Sequence, residues 1–337
     1  MSDSLSRRSF VAGSITAAAA AASAQTLPTR RFGKTGLEVT ILAMGCGNRL
    51  WMAYENQERG VEAVRLAIDS GIRYLDTAQA YGDGVSETWV GIAGKERRKE
   101  LVYATKTPAR KADDLLRRAE QSLKRLQTDY LDVLHIHSLR FADDLAEIEA
   151  KGGALEALYK LREQKVARFI GITSHTDPAT LAEALKRHDF DCTQMALNAG
   201  LQGSSPDGAG YWKKTKDLFG EALPPKPHPG ASFQDVALPV AVKKNLGIVA
   251  MKVTAQDGLL GKGDGRADSS RLIRYAMSLP VSVVTVGMPK LPYIGENTAL
   301  ARAFRPMSKT EMKNLSTRLS EANKVALDLH FREHQDA

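Results

Sequence analysis

The chain has 337 residues, is 43% hydrophobic and 26% charged, and carries a formal net charge of +8. That balance is ordinary for a soluble globular enzyme and excludes fibrous and disordered classes. The basic residues are spread along the chain, as in Arg30-Arg31 and Arg97-Arg98-Lys99, without a basic stripe interleaved with aromatics, so a solvated surface fits better than nucleic-acid binding.

In chain order, residues 1–24 stand apart. Ser6-Arg7-Arg8-Ser9-Phe10 precedes an alanine-rich run from Val11 to Ala22, which ends in Ala22-Ser23-Ala24 before Gln25. Paired arginines, an apolar run and a small-residue cleavage site in that order predict a twin-arginine signal peptide, hence passage through the twin-arginine export machinery and a periplasmic or otherwise exported protein. The run is shorter than the roughly 18–20 apolar residues of a membrane span, and no segment of the mature chain reaches that length.

Fold reasoning therefore covers 27–337. "RRFGKTGLEV" predicts two short extended pieces around the turn Gly33-Lys34-Thr35-Gly36. "VTILAMG" reads as a first strand. "NQERGVEAVRLAIDSG" then sets Val61, Val64, Ala67 and Ile68 on one helical face and closes on Gly71. The pattern persists through the helix and strand pairs "SETWVGIAGKERR" with "LVYATK", "KADDLLRRAEQSLKRL" with "LDVLHIH", "GALEALYKLREQ" with "FIGITS", "PATLAEALKRH" with "CTQMAL", "DVALPVAVKKN" with "GIVAMK", and "SSRLIRYAMSL" with "VSVVTVG". "RYLDTA" is the strand that follows the first helix, and two further helices, "YIGENTALARAF" and "KTEMKNLSTRLSEANKVA", complete the order.

Such alternation requires parallel pairing, because each crossover helix must cover the sheet. About eight units in roughly 300 residues predict an α/β chain folded as a closed (β/α)8 TIM barrel. A doubly wound open sheet is the alternative, but the GxGxxG turn it usually carries is poorly matched by Gly45-Cys46-Gly47-Asn48-Arg49-Leu50. The stretch from Gly203 to Gly230 reads as a lid or substrate wall. Cys46 and Cys192 have neither CxxC spacing nor a ligand cluster around them, so no metal site is expected and a disulfide is not favoured.

In such a barrel the C-terminal strand ends converge on one face, where active sites are built. There the sequence sets Asp76 after "RYL", Tyr81 in the following loop, Lys106 closing "LVYAT" and His137 closing "LDVLHI". Singly, each suits an ion pair or a satisfied core residue; together on one rim they point to chemistry. A neighbouring ammonium stabilises a phenolate, so Lys106 would make Tyr81 a usable acid. Asp76 would hold Lys106, and His137 would donate to the oxygen that Tyr81 protonates. This suits protonation of a carbonyl oxygen and calls for a hydride source.

The motifs "RRFGKTGLEVTILAMG", "YLDTAQAYGDGVSE", "YATK", "LDVLHIH", "GALEALYKLREQKVARFIGITS" and "IGEN" resemble, in order, those of the aldo-keto reductases. The resemblance implies the tetrad Asp76, Tyr81, Lys106 and His137, a hairpin at 30–40 plugging the barrel bottom, an extra C-terminal helix, a monomer, and an oxidoreductase passing hydride from NADPH or NADH to a small carbonyl substrate. For the cofactor it implies Gly45, Thr173 and Ser174 in place of the usual Ser-Asn pair, Gln194, Met251 in place of a stacking tyrosine, Lys252, and Glu296 with Asn297. The basic residues that often grip the 2'-phosphate fall on Gly287 and Tyr293, with Lys290 close enough to substitute as a point charge. NADP is the expected cofactor, with NAD the alternative. Substrate walls would come from Trp51, Tyr54 and the loop 199–232, including Tyr211, Trp212 and Phe219, and the loop 255–270 would cover the pyrophosphate. Two other readings remain: a cofactor-retaining, epimerase-like enzyme, and a cofactor-binding regulatory subunit with little turnover.

Overall fold

Along each short strand the side chains alternate between two surroundings, as the two-residue repeat of extended backbone requires. The computed structural model describes residues 26–203 and 232–333. In it β3 (Leu42–Gly45), β4 (Tyr74–Asp76), β5 (Val102–Thr107), β6 (Leu131–Ile136), β7 (Ala167–Ser174), β8 (Cys192–Ala196), β9 (Gly247–Met251) and β10 (Val283–Gly287) form a closed barrel in the ring order β10-β3-β4-β5-β6-β7-β8-β9. Every pairing in the ring is parallel. The helices between successive strands cover it, as expected for a (β/α)8 barrel.

Closure sorts the apolar residues into two cores. Leu42, Met44, Leu75, Tyr103, Leu134, Ile172 and Val284 face the helices. Ala43, Tyr74, Val102, Ala104, Val133, Cys192, Val249 and Val283 form a separate inner cluster. Two residues further along the same inward column, β4 reaches Asp76, β5 Lys106, β6 His135 and then His137, β8 Gln194, and β10 Thr285 and then Gly287. The inside of the barrel is thus apolar at one end and polar at the other.

The apolar end is plugged. β1 (Thr29–Arg31) and β2 (Glu38–Thr40) form an antiparallel hairpin, so the expected strand "VTILAMG" is interrupted at Ile41 and only Leu42–Gly45 enters the barrel. From this hairpin Phe32 joins the inner cluster with its ring 5.8 Å from that of Tyr74. The Lys34 amide donates to the Asn245 carbonyl at 2.7 Å, and the Arg30 guanidinium donates to the Val281 and Met277 carbonyls, each at 2.7 Å.

Three elements differ from the sequence pattern. Ala142–Glu149 is a helix that buries only Leu145 and Ile148, too few residues to make a periodic signal. Asn48–Trp51 forms a single helical turn after β3. The helix expected over "SETWVGIAGKERR" stops at Gly94 and continues as a 3-10 segment, Lys95–Glu100.

The C-terminal helix, Lys309–Glu333, is also longer than expected. Its 25 residues span about 37 Å at 1.5 Å per residue, enough to climb the full height of the barrel. Just before it, the Met307 amide donates to Ser278 Oγ at 2.9 Å, near the start of β10. Near its end, Lys324 Nζ donates to the Leu201 carbonyl at 2.9 Å, Asp328 accepts the Gly203 amide at 2.8 Å, and Phe331 lies 6.1 Å from the ring of His175. The last turns therefore wall one side of the polar rim.

Lys324 and Asp328 form a buried ion pair at 2.8 Å. Burial nevertheless pushes the Asp328 carboxyl up to about 7, outweighing Lys324 and the Gly203 amide. An acid whose folded value is raised stabilises the fold most below its unfolded value of about 4, and loses that contribution as pH rises through its folded value. Asp328→Asn is therefore expected to flatten the dependence of the thermal midpoint between about pH 4 and 7; an unchanged slope would refute the assignment.

Candidate active site

At the polar end of the barrel, register sets the site. Gly45 pairs with Asp76, Asp76 with Ala104, and Lys106 with His135, so Asp76 and Lys106 enter from adjacent strands. Their side chains, 5% and 1% exposed, meet at 2.8 Å. Lys106 Nζ also donates to the Thr77 carbonyl at 2.8 Å and reaches the Tyr81 hydroxyl at 3.5 Å. Gln194 Nε2 donates to the other Asp76 oxygen at 2.9 Å. The His137 ring stands edge-on to Tyr81, with centroids 5.6 Å apart and planes at 81°. The four expected residues are therefore one cluster.

Tyr81 owes its position to the turn that follows it. Gly82, Asp83 and Gly84 have φ of 61°, 50° and 90°, three consecutive left-handed residues, which glycine tolerates and most side chains resist. A Cβ on Gly82 would lie 2.8 Å from Trp51 Cδ2, so the indole sits directly on the turn. Trp51, expected as a substrate wall, packs on the turn that follows Tyr81. Tyr54 instead donates its hydroxyl to the Met288 carbonyl at 2.8 Å, and burial pushes its phenol up to about 12. Tyr211, Trp212 and Phe219, like residues 1–24 of the expected signal peptide, lie outside the described residues.

Around the cluster the buried groups are held neutral. Burial pushes the Cys46 and Cys192 thiols and the Tyr74 phenol up, with Asp76 adding to the effect on Cys46 and Tyr74. Burial, then Lys106 and His137, pushes His135 well below the ordinary imidazole value. Both cysteines are free thiols. The field at the mouth is accordingly set by the Asp76–Lys106 pair, with its ammonium turned toward Tyr81.

The residues expected around a cofactor separate into two groups. Gln194 and Thr173 are adjacent in register and face the cluster. Met251 ends β9, buried beside Ala196. Gly45 and Gly287 are paired at the ends of β3 and β10. Lys290, Glu296 and Asn297 stand apart, Lys290 at the start of the helix Leu291–Arg302 and the other two along it. Lys252, in a left-handed conformation (φ 57°), directs its ammonium toward the Phe331 ring at 5.7 Å. Ser174 Oγ donates to the Leu139 carbonyl at 2.7 Å and accepts the Thr176 amide at 3.3 Å, so only one lone pair is left to it.

Sequence reasoning did not foresee Arg49 here. A Cβ on Gly287 would lie 2.7 Å from Arg49 Cβ, so the bare glycine is what lets Arg49 cross the end of β10. The guanidinium then pairs with Asp257, in the loop after β9, at 2.5 Å. The partners are far apart in sequence and share no spacing that could announce them.

With this geometry in place, residues 43–202 match the model of the Aldo/keto reductase family. The matched stretch runs from β3 past the end of β8 and takes in Asp76, Tyr81, Lys106 and His137. It is 37% identical over 153 residues to the aldo-keto reductase YhdN of Bacillus subtilis, covering 40% of this chain and 45% of that one, so the chain spans about half the length of this relative. It is 28% identical over 298 residues to L-galactose dehydrogenase of Arabidopsis thaliana, covering 80% and 86%. The aldo-keto reductase of Klebsiella pneumoniae in complex with NADPH superimposes with a TM-score of 0.63 at 21% identity, covering 89% of this chain and 97% of the other, a likeness of fold.

Breaking a buried ion pair by removing one partner strands a charge, at a cost of about 3–5 kcal/mol, whereas replacing both partners with apolar groups is often close to neutral. Lys106→Met is expected to lower unfolding free energy by about that amount in a denaturant titration, and Asp76→Leu combined with Lys106→Met to recover most of it. Equal losses in the single and double variants would show that the pair does not set this cost.

Proposed function

We propose that the chain is an NAD(P)H-dependent oxidoreductase that reduces an aldehyde or ketone, or oxidises the corresponding alcohol, with Tyr81 as general acid. The observation that carries this reading is the Lys106 ammonium, held between Asp76 and the Thr77 carbonyl and reaching the Tyr81 hydroxyl at the mouth of the barrel. A cofactor-binding subunit without turnover would have no use for an ammonium buried at this cost and aimed at a phenol.

The residues fit a nicotinamide dinucleotide. Gln194 gives one amide hydrogen to Asp76 while its buried Oε1 has no hydrogen-bond partner among the described residues, an acceptor suited to a carboxamide N–H. Thr173, Ser174 as an acceptor, and Met251 would complete that end. The phosphates would lie beside the end of β3 at Gly45, with Arg49, which crosses Gly287, and Lys252 as the cations of that rim. Lys290, Glu296 and Asn297 would face the adenosine, and the Lys290 charge supports NADP over NAD. The NADPH bound to the Klebsiella pneumoniae protein supports the same choice.

When bound, the dinucleotide supplies hydride to the carbonyl carbon. As charge gathers on the carbonyl oxygen, Tyr81 gives up its proton to it, and the Lys106 ammonium stabilises the phenolate left behind. Asp76 holds that ammonium in place, and His137 donates a hydrogen bond to the same oxygen. The pair Arg7-Arg8 with its apolar run supports export by the twin-arginine route, so retention of cofactor loaded before export belongs to this reading. The Arg49–Asp257 contact, which ties the loop after β9 to the turn after β3, is the feature suited to retaining it.

Tyr81→Phe is expected to lower carbonyl-dependent loss of 340 nm absorbance by about 100-fold or more while NADPH still binds by fluorescence titration. Undiminished turnover would exclude Tyr81 as the acid, and absence of dinucleotide binding in the parent protein would exclude the reductase. Arg49→Ala should speed NADPH release in stopped-flow fluorescence by about 1.5-fold to fivefold, the scale of a half-exposed ion pair. A release rate equal to that of the parent would remove the contact from cofactor retention.

A further inference from the structure

His137 is the last residue of its inward column, and the chain leaves the barrel immediately after it. Ser138 has φ 52°, a left-handed conformation that a non-glycine residue adopts only when its surroundings enforce it. The backbone partners show what enforces it. The His137 amide donates to the Thr107 carbonyl at 2.8 Å, continuing the β5–β6 ladder. The Ser138 amide donates to Thr173 Oγ1 at 2.8 Å and the Leu139 amide to the Thr173 carbonyl at 2.7 Å. Leu139 accepts from Ser174, and the Arg140 amide donates to Asp144 at 2.9 Å.

The two remaining carbonyls, those of His137 and Ser138, are taken by one group. Arg110 Nη2 donates to the His137 carbonyl at 3.0 Å and to the Ser138 carbonyl at 3.2 Å. Its other edge is held by Asp144, with Nε donating to Oδ1 at 2.5 Å and Nη2 to Oδ2 at 3.0 Å. Asp144 lies in the first turn of the helix Ala142–Glu149, where a carboxylate is favoured by the helix dipole. Both side chains are mostly buried, at 18% and 15% exposed. A planar guanidinium can hold a carboxylate along one edge and point a donor at two carbonyls from the other, which an ammonium on a flexible stem cannot do with the same definition.

We propose that Arg110, held by Asp144, is a positioning residue that fixes the His137 imidazole beside Tyr81. Arg110 acts through the two carbonyls that anchor the residue carrying the imidazole. The kinetic consequence rests on the reductase reading above, and the geometric one does not. Loss of this anchor lets the left-handed turn relax and moves the imidazole away from the carbonyl oxygen it is to contact.

The test compares Arg110→Met in the parent chain and in a His137→Ala background. In the parent, kcat for carbonyl reduction is expected to fall on the order of 10- to 100-fold, with NADPH affinity by fluorescence titration changed less than about twofold. In the His137→Ala background the same substitution should change kcat by less than about twofold, because residues that act through one another are not additive. Arg110→Lys should fall between, and Asp144→Asn should reproduce the loss if Arg110→Met does not fold. Equal losses in the two backgrounds, or no loss in the parent, would overturn the proposal. Imidazole signals of 15N-histidine-labelled protein, assigned through His137→Gln, decide the geometry without turnover: movement of the His137 signal in Arg110→Met supports it and an unmoved signal refutes it. A parent protein inactive on carbonyls would sink the reductase reading while leaving this second measurement to judge Arg110.

Discussion

The buried contact between the Lys106 ammonium and the Asp76 carboxylate is the constraint around which the polar end of this barrel is arranged. A lysine inside a protein tends to lose its proton, and an aspartate to gain one, unless each supplies the other's missing solvation. Here the Thr77 carbonyl accepts from Lys106 and the Gln194 amide donates to Asp76, so each partner has a further hydrogen bond where water does not reach. The thiols, phenol and imidazole around the pair are kept neutral by the same burial. A single oriented dipole therefore faces Tyr81 through a medium that screens it poorly.

That dipole can be built because the barrel sorts its inward residues by height. The hairpin brings Phe32 into the far end, where the neighbours are Tyr74, Val102, Val133 and Val283, and the apolar burial there helps offset the cost of polar groups at the other end. Each strand crosses from one regime to the other within two or three inward positions. The short length of β4, three residues from Tyr74 to Asp76, shows how compressed the transition is.

Much of this was legible in the chain. Apolar strands alternating with amphipathic helices implied the barrel, and strand-end position gathered Asp76, Lys106 and His137 on one rim with Tyr81 before a glycine turn. The elements that escaped are those whose stabilisation is not periodic. Ala142–Glu149 buries two side chains, and the last turns of Lys309–Glu333 are held by polar and ring contacts to loops at the rim. The committed hydroxyl of Ser174, the anchoring of Tyr54 on Met288 and the crossing of Arg49 over Gly287 all depend on backbone atoms or on loops brought together only by closure. Side-chain identity alone carries no trace of such partners.

Closure also has a location. The ring is completed where β3 pairs with β10, and the hairpin fastens that seam from below, with Arg30 bonded to the Val281 carbonyl 251 positions away in the chain. Joining segments so distant is entropically costly and places the event late in assembly, after the more local strand pairs exist. Gly45, Gly287 and Arg49 lie on the upper end of the same seam. A ligand held there binds the closed ring and not the open chain, so its binding free energy adds to the stability of the whole barrel. The seam that is hardest for the chain to form is thus the one that a bound molecule reinforces most directly.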